Sequence, residues 1–188
     1  MANPHVTRER IDQEVRAALA TTLRIEADTI EMEQSIINDL GATSIDFLDI
    51  NFRLEQVFGI QLASQLLLDH VEEELGEGTA IDRDNKITAG AAALLKEQFG
   101  PDAPIDAGMY ADEIPAFVTA GSIATAVEKI LDHLADACTC GASEWKSEDG
   151  AKVVCGACGA EAVYPDGDEL TKGWIHDVQR EKQLFAVS

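Results

Sequence analysis

The sequence has few basic residues and few aromatic residues. The first shortage limits the kinds of partner to expect, and the second limits the kinds of fold. Fourteen lysines and arginines stand against 35 aspartates and glutamates, so the formal net charge is −21. A surface of this sign repels phosphate backbones and anionic membranes, which excludes nucleic acid as an expected partner and favours proteins with basic patches. Aromatic residues make up only 5% of the 188 residues, as in small helical bundles.

Long hydrophobic runs are also missing. No apolar run approaches the roughly 20 residues that a membrane-spanning helix requires, and the first five residues lack the apolar core of a signal peptide. We therefore expect a cytoplasmic protein with no membrane insertion. An apolar content of 46% still suffices for one ordinary domain and a small appendage.

The most distinctive stretch that is present, residues 39–46, reads Asp-Leu-Gly-Ala-Thr-Ser-Ile-Asp. The apolar pattern that follows predicts a helix from Ser44 to Phe58, with Thr43 or Ser44 as its cap. The stretch therefore places a serine at the start of this helix. A hydroxyl there lies among free backbone N–H groups at the positive end of the helix dipole, where a phosphate is stabilised. With no histidine near it in sequence, Ser44 is a poor nucleophile and a good attachment point.

This stretch resembles the modification site of acyl carrier proteins, whose serine receives 4′-phosphopantetheine. The spacing from Ile25 to Ser44 is similar to the family's loop between its first two helices. Acidic residues follow two, five and eleven positions after the serine, as is usual in the family: Asp46, Asp49 and Glu55. One residue departs, because Thr43 stands where the family usually has aspartate. The resemblance implies that Ser44 carries the arm; the alternative is an ordinary helix-capping serine.

The second predicted helix has apolar residues on two faces. Ile50, Leu54 and Val57 are expected to point into a bundle. The other stripe lies one, four and eight positions after Ser44: Ile45, Leu48 and Phe52. By the resemblance, this stripe and the three acidic residues form the outward surface that partner enzymes meet. The alternative is that additional sequence covers the stripe as core, and for Phe52 both possibilities stay open.

The fold class expected from the resemblance is a mostly α chain built on a four-helix acyl carrier bundle. Its first helix is predicted from about Thr7 to Leu23. The last bundle helix has two candidate starts, Lys86–Gly90 and Val118–Ile123, and the second is more similar to the family's terminal helix. Pro115 then falls in the short third element.

With that choice, residues 62–75 and 88–99 become two additional helices. They could enclose a longer acyl chain, present a docking surface or simply enlarge the core. A tail after Pro165 carries Trp174, Ile175, Leu184 and Phe185 among charged residues, and could pack back or stay mobile.

All four cysteines lie close together in sequence: Cys138, Cys140, Cys155 and Cys158. In a reducing compartment such a paired arrangement more often binds metal than forms disulfides. Residues 144–154 between the pairs are predicted to form a hairpin with an Asp-Gly turn. The pattern resembles a zinc ribbon, in which four thiolates give a closed, structural site. The first pair is one residue shorter than usual, which leaves His133 or His176 as substitute ligands, and disulfide pairing is the competing use of the cysteines.

The predicted organisation is an acyl-carrier-like helical domain at 5–136 with extra helices around 62–99, a zinc-ribbon-like module with a small β-hairpin at 137–165, and a tail at 166–188. The module holds two lysines against four acidic residues between Cys138 and Tyr164, which disfavours a nucleic-acid-binding ribbon.

The resemblance implies a specialised acyl carrier rather than an enzyme. A phosphopantetheinyl transferase would load Ser44, and acyl ligases, synthases or acyltransferases of fatty acid, lipid or polyketide synthesis would use the thioester. The alternative is an unmodified scaffold or regulatory module that binds proteins through its zinc ribbon. A hydrolase is disfavoured, because the sequence has no Gly-x-Ser-x-Gly elbow and no histidine positioned beside Ser44.

Overall fold

A computed structural model describes residues 3–185 of the chain. The structure is mostly helical with one two-stranded sheet, which confirms the predicted fold class. The helices and strands are α1 (Arg8–Leu23), α2 (Ser44–Phe58), α3 (Leu67–Leu75), α4 (Ala89–Phe99), α5 (Ala120–Leu131), β1 (Trp145–Lys146), β2 (Val154–Cys155) and α6 (Gly167–Lys182), with short 3-10 helices at Ala27–Thr29 and Ala111–Phe117. Among residues 3–185, no helix combines the length and the apolar character needed to cross a membrane.

The chain divides into two compact units, each built from separate stretches of sequence. The first unit comprises the chain up to Leu62 together with Val118–Asp166, and the second comprises Ala63–Phe117 together with the chain from Gly167 onward. The predicted division at 5–136, 137–165 and 166–188 stays a prediction about domains, and residues 186–188 of that tail lie outside the described residues.

The core of the first unit is a bundle in which α1 packs against both α2 and α5. Thr7 begins α1 by accepting a hydrogen bond from the backbone N–H of Arg10 at 3.2 Å. The helices contribute side chains at helical spacing, and these are buried: Ile11, Val15 and Leu19 of α1, Ile50, Leu54 and Phe58 of α2, and Ile123, Val127 and Leu131 of α5. Val57, predicted to point inward with Ile50 and Leu54, is half-buried, and the adjacent Phe58 fills the core.

The long loop between α1 and α2 is tied to the start of α5. The N–H of Gly121 donates to the carbonyl of Met32 at 2.7 Å, and the N–H of Ile36 donates to the carbonyl of Val118 at 3.0 Å. A Cβ on Gly121 would lie 2.9 Å from the Met32 oxygen, so only glycine permits this approach. Thr119 caps α5 by accepting from the N–H of Ser122. The segment that begins α5 therefore fixes the loop that leads to Ser44.

The second unit has its own apolar core, formed by residues of α3, α4 and α6 and the loops between them: Leu68, Val71, Leu94, Leu95, Ile105 and Ile175. The helix predicted over residues 62–75 begins only at Leu67. Its first residues are diverted, because the N–H groups of Ser64 and Gln65 both donate to the carboxylate of Asp168. The same carboxylate lies 2.8 Å from Nε2 of the fully buried His70.

The tail after Pro165 packs back as a helix, α6, with Ile175 and Val178 buried in the second unit. Gln183 adopts a left-handed conformation with φ of 50° at the end of this helix. The side-chain amide of Gln179 then bonds both the N–H and the carbonyl of Phe185, at 3.0 and 2.8 Å. Phe185 is buried against Gly90, near the start of α4.

We predict that Gly90→Ala lowers the stability of the second unit although alanine favours helix. A Cβ at position 90 would lie 2.6 Å from Cδ1 of Phe185 and 2.7 Å from the Leu184 oxygen, and such overpacking costs about 1–3 kcal/mol. The matched control is Gly173→Ala in α6, where a Cβ meets nothing within 4 Å; it should gain about 0.5–1 kcal/mol. Chemical denaturation of both variants is the measurement, and equal gains at the two positions would contradict the packing described here.

Candidate functional site

Ser44 is the first residue of α2 and is exposed to solvent. Thr43, immediately before it, closes a reciprocal cap with Asp46. The Thr43 N–H and hydroxyl both donate to Oδ2 of Asp46 at 2.7 Å, while the hydroxyl oxygen accepts from the Asp46 N–H at 3.5 Å. This capping box fixes the direction in which α2 begins, and with it the position of Ser44.

The bonds from the side chain and backbone of Thr43 lower the pKa of Asp46 below its ordinary value. Asp46 is therefore a carboxylate near the positive end of the α2 dipole, a favourable location for a negative charge. Because its pKa is lower in the folded chain than in the unfolded one, its contribution to stability is present above about pH 3.9 and is lost as the pH falls through the folded value.

The other two acidic residues predicted to meet partners are also engaged within the chain. Asp49 accepts from Nε of Arg53 at 2.8 Å and from the hydroxyl of Thr22 on α1 at 2.6 Å, and both bonds lower its pKa. Glu55 accepts the backbone N–H of Leu62 at 2.9 Å. Sequence reasoning missed these partners, although the Asp49 and Arg53 spacing of four residues is a known signal for a helical ion pair.

The apolar stripe on α2 faces outward. Ile45 is 76% exposed, Leu48 is 67% exposed and Phe52 is 59% exposed. The alternative in which additional sequence covers Phe52 as core is therefore wrong. Phe52 borders a shallow groove between α1 and α2 that Ala17, Ala18 and Thr21 also line. The structure thus places all six predicted partner-binding residues on α2, three as exposed apolar side chains and three as internally bonded carboxylates.

The four cysteines converge into one cluster whose Sγ atoms all lie within 4.8 Å of one another. Sγ of Cys138 is 3.7 Å from Sγ of Cys158, and Sγ of Cys140 is 3.7 Å from Sγ of Cys155. A disulfide would bring two sulfurs to about 2.05 Å. Four thiolates at 2.3 Å from a tetrahedral zinc lie about 3.8 Å apart. The cluster therefore fits a metal ion and not a pair of disulfides.

A β-hairpin and the turns beside it position the four cysteine sulfurs. Strands β1 and β2 pair antiparallel with Trp145 opposite Cys155, and Asp149 closes the hairpin turn by accepting from the N–H groups of Ala151 and Lys152. The N–H of Cys140 lowers the pKa of Cys138 to about 7, and the N–H groups of Cys158 and Ala157 lower that of Cys155. For Cys158 the N–H of Ala160 lowers the pKa, but the other three cysteines raise it to about 11.

Neither histidine named as a substitute ligand belongs to this cluster. Nδ1 of His133 bonds the carbonyl of Lys129 at 2.8 Å, one turn back along the chain. Nε2 of His176 lies 2.8 Å from the carboxylate of Glu74, in the second unit. Both sulfurs of the short first pair, Cys138 and Cys140, lie in the four-cysteine cluster, so no histidine is needed in place of either.

The cysteine module lies against the helical bundle of the first unit. Nε1 of Trp145 donates to the carbonyl of Ala135 at 2.8 Å, directly after α5. Gly150 at the hairpin tip lies beside the side chain of Arg10 on α1, and Glu161 lies beside Gly59, the residue that ends α2. The module therefore contacts the end of α2 opposite to Ser44.

Comparisons with known proteins point to one family. The family model described as "Phosphopantetheine attachment site" matches residues 13–72. The acyl carrier protein of Coprothermobacter proteolyticus is 38% identical over 60 residues, which are 32% of this chain and 73% of the relative. The acyl carrier protein AcpXL of Brucella melitensis is 40% identical over 79 residues, 42% of this chain and 81% of the relative. AcpXL of Rhizobium meliloti is 33% identical over 79 residues, covering 42% and 79%. No solved structure matches the chain.

We predict that Thr43→Ala lowers the free energy of unfolding of the first unit by about 1 kcal/mol, the ordinary cost of losing a side-chain helix cap. Thr43→Ser is the matched control, because serine keeps a hydroxyl that can both accept from the Asp46 N–H and donate to its carboxylate, and it caps helices as well as threonine does, so it should leave stability within a few tenths of a kcal/mol. Thermal or urea denaturation followed by circular dichroism measures both. An alanine variant as stable as the parent would show that the bonds between Thr43 and Asp46 do not support α2.

Proposed function

Because the chain belongs to the acyl carrier protein family, we propose that it carries acyl groups as thioesters on a 4′-phosphopantetheine arm attached to Ser44. The observation that carries this proposal is the position of Ser44. It is an exposed hydroxyl at the first residue of a capped helix, inside the matched segment 13–72. Ser44 lies at the positive end of the α2 dipole, which would favour the negative charge of the arm's phosphate.

Attachment would be a phosphoryl transfer from coenzyme A. The Ser44 oxygen forms a bond to the phosphorus of the phosphopantetheine half, and the pyrophosphate P–O bond breaks to release the adenosine bisphosphate half. The Ser44 proton passes to a base that the transferase supplies, because the polar side chains beside Ser44 are Thr43 and Asp46, and these bond each other. The arm contributes a terminal thiol, which holds the acyl group as a thioester.

The proposed role is that of a carrier rather than a catalyst. Its partners would be a phosphopantetheinyl transferase and the acyl ligases, synthases or acyltransferases of fatty acid, lipid or polyketide synthesis. A net charge of −21 attracts proteins with basic patches over a range set by the ionic strength. The residues proposed to contact them surround Ser44 on α2: Ile45, Asp46, Leu48, Asp49, Phe52 and Glu55.

We also propose that Cys138, Cys140, Cys155 and Cys158 hold one zinc ion. Zinc bound by four thiolates has no open position for water, so its role would be structural. The short strands and few buried side chains of the module give it little core of its own, since Ala151, Val153 and Ala162 are its buried apolar residues besides cysteine. Metal binding would then supply much of its folding free energy.

The attachment site is tested by intact mass spectrometry after incubation with coenzyme A and a panel of phosphopantetheinyl transferases. The parent chain should gain the mass of one phosphopantetheine group. Ser44→Ala should gain none, while Ser143→Ala, which removes another exposed serine, should be modified like the parent. No gain by the folded parent with any transferase would overturn the carrier proposal and favour the unmodified scaffold.

The metal site is tested by elemental analysis of the purified chain. We expect one equivalent of zinc in the parent, and its loss in Cys155→Ser with a lower melting temperature, because three thiolates bind the ion far more weakly. His133→Ala is the control, since His133 lies outside the cluster, and it should keep its zinc. A folded parent whose melting temperature is the same with and without a chelator, and which contains no metal, would contradict the proposal.

A further inference from the structure

Two of the four clustered cysteines are accessible to a small oxidant. We propose that the cysteine module is a redox-sensitive clamp on the helical bundle of the first unit. Hydrogen peroxide oxidises its sulfurs to disulfides, the zinc ion leaves, and the module loosens its hold on the bundle. This inference rests on the zinc site proposed above. It gives the module a regulatory role within its own chain in addition to its structural one.

The two pairs of sulfurs that lie 3.7 Å apart each join an exposed cysteine to a buried one. In the first pair Cys158 is exposed and Cys138 is buried. In the second pair Cys140 is exposed and Cys155 is buried. Peroxide reacts with accessible thiolates, and a second thiol close by then converts the product to a disulfide. The exposed member of each pair therefore meets the oxidant, and the buried member is placed to complete the disulfide.

The reaction balances with hydrogen peroxide as the oxidant. The exposed thiolate attacks one peroxide oxygen, the O–O bond breaks, and the products are a sulfenic acid and a hydroxide ion. The buried thiolate of the same pair then attacks the sulfenic sulfur, forms the S–S bond and releases a second hydroxide ion. Two thiolates have lost two electrons, and the peroxide becomes two water molecules once solvent supplies two protons.

Formation of the first disulfide expels the zinc ion. Zinc binds cysteine as the thiolate, so one disulfide removes two of its four ligands. The two sulfurs also move from 3.7 Å to about 2.05 Å apart, which is closer than thiolates around a shared zinc ion can lie. The module has few buried apolar residues besides cysteine, namely Ala151, Val153 and Ala162. Loss of the ion therefore removes much of its folding free energy.

The contacts between the module and the bundle depend on that folded hairpin. The indole N–H of Trp145 donates to the carbonyl of Ala135 at 2.8 Å, and Trp145 is paired in the sheet with Cys155. Gly150, at the tip of the hairpin, lies beside the aliphatic part of Arg10 on α1. Release of zinc therefore weakens contacts with α1 and with the segment after α5. The expected consequence is a less stable first unit, with the attachment serine itself chemically unchanged.

The test treats the zinc-loaded chain with excess hydrogen peroxide, beside an untreated sample. Ser44→Ala is measured with the parent because it cannot carry the thiol of the arm, so the four clustered cysteines are its only thiols. A chromogenic chelator measures released zinc, mass mapping of unreduced peptides locates disulfides, and circular dichroism gives the melting temperature. Dithiothreitol and zinc are then added, which reverses disulfides but not methionine sulfoxide.

We expect peroxide to release all of the bound zinc from the parent and from Ser44→Ala. The disulfides should join Cys138 to Cys158 and Cys140 to Cys155, and the melting temperature should fall below that of the untreated chain. Dithiothreitol with zinc should restore the zinc content and the melting temperature.

The inference is overturned if zinc stays bound under excess peroxide, or if zinc leaves and the melting temperature does not fall. Disulfides found only between Cys138 and Cys140 and between Cys155 and Cys158 would also overturn it, because the exposed and buried sulfurs would not react as assigned. A purified parent without zinc contradicts the metal site itself. That failure is seen before peroxide is added, so the two results are distinguishable.

Discussion

The backbone contact between residues 32–36 and 118–121 is the constraint on which the first unit depends. These two segments are separated in sequence by α2 and by the whole of Ala63–Phe117, yet they pair through the N–H groups of Ile36, Ala120 and Gly121. The contact places α5 against α1 and fixes the loop that ends at Thr43. Ala42 then bonds back to the carbonyl of Ile36 at 2.8 Å. A hydrogen-bonded path therefore leads from the start of α5 to Ala42, two residues before Ser44.

This constraint keeps the first unit together although Ala63–Phe117, which lies between its two stretches of sequence, belongs to the second unit. Leu62 and Val118, the residues on either side of Ala63–Phe117, both belong to the first unit. Glu55 fixes one end through the N–H of Leu62, and Gly121 fixes the other through Met32. The closing of a loop costs entropy that grows only slowly with its length, so the 55 residues of Ala63–Phe117 can separate the two anchors at little entropic cost.

Local patterns in the sequence accounted for much of this architecture. The apolar spacing of Ile11, Val15 and Leu19 gave α1, the motif around Ser44 gave α2, and the paired cysteines indicated the cluster, because each signal lies within a few residues. The internal bonds of Asp46, Asp49 and Glu55 were not foreseen. The sequence alone does not distinguish a carboxylate that is free to contact another protein from one that already accepts hydrogen bonds within its own chain. Likewise, the role of α6 depends on Ile175 meeting α3 and α4, which are distant in sequence.

The discontinuous second unit has a consequence for the order in which the chain can fold during synthesis. Its inserted half, Ala63–Phe117, leaves the ribosome before Val118–Asp166 has been made, and α6 follows only afterwards. At about 5–20 residues per second this interval is roughly 2–10 s. During it Leu68, Val71 and Leu94 have no α6 to cover them, while α5, whose first residues hold the loop before Ser44, is translated within the interval. The first unit, which contains Ser44, is therefore fully translated before the second unit is, and the apolar side chains of Ala63–Phe117 stay without α6 until the chain after Gly167 has been made.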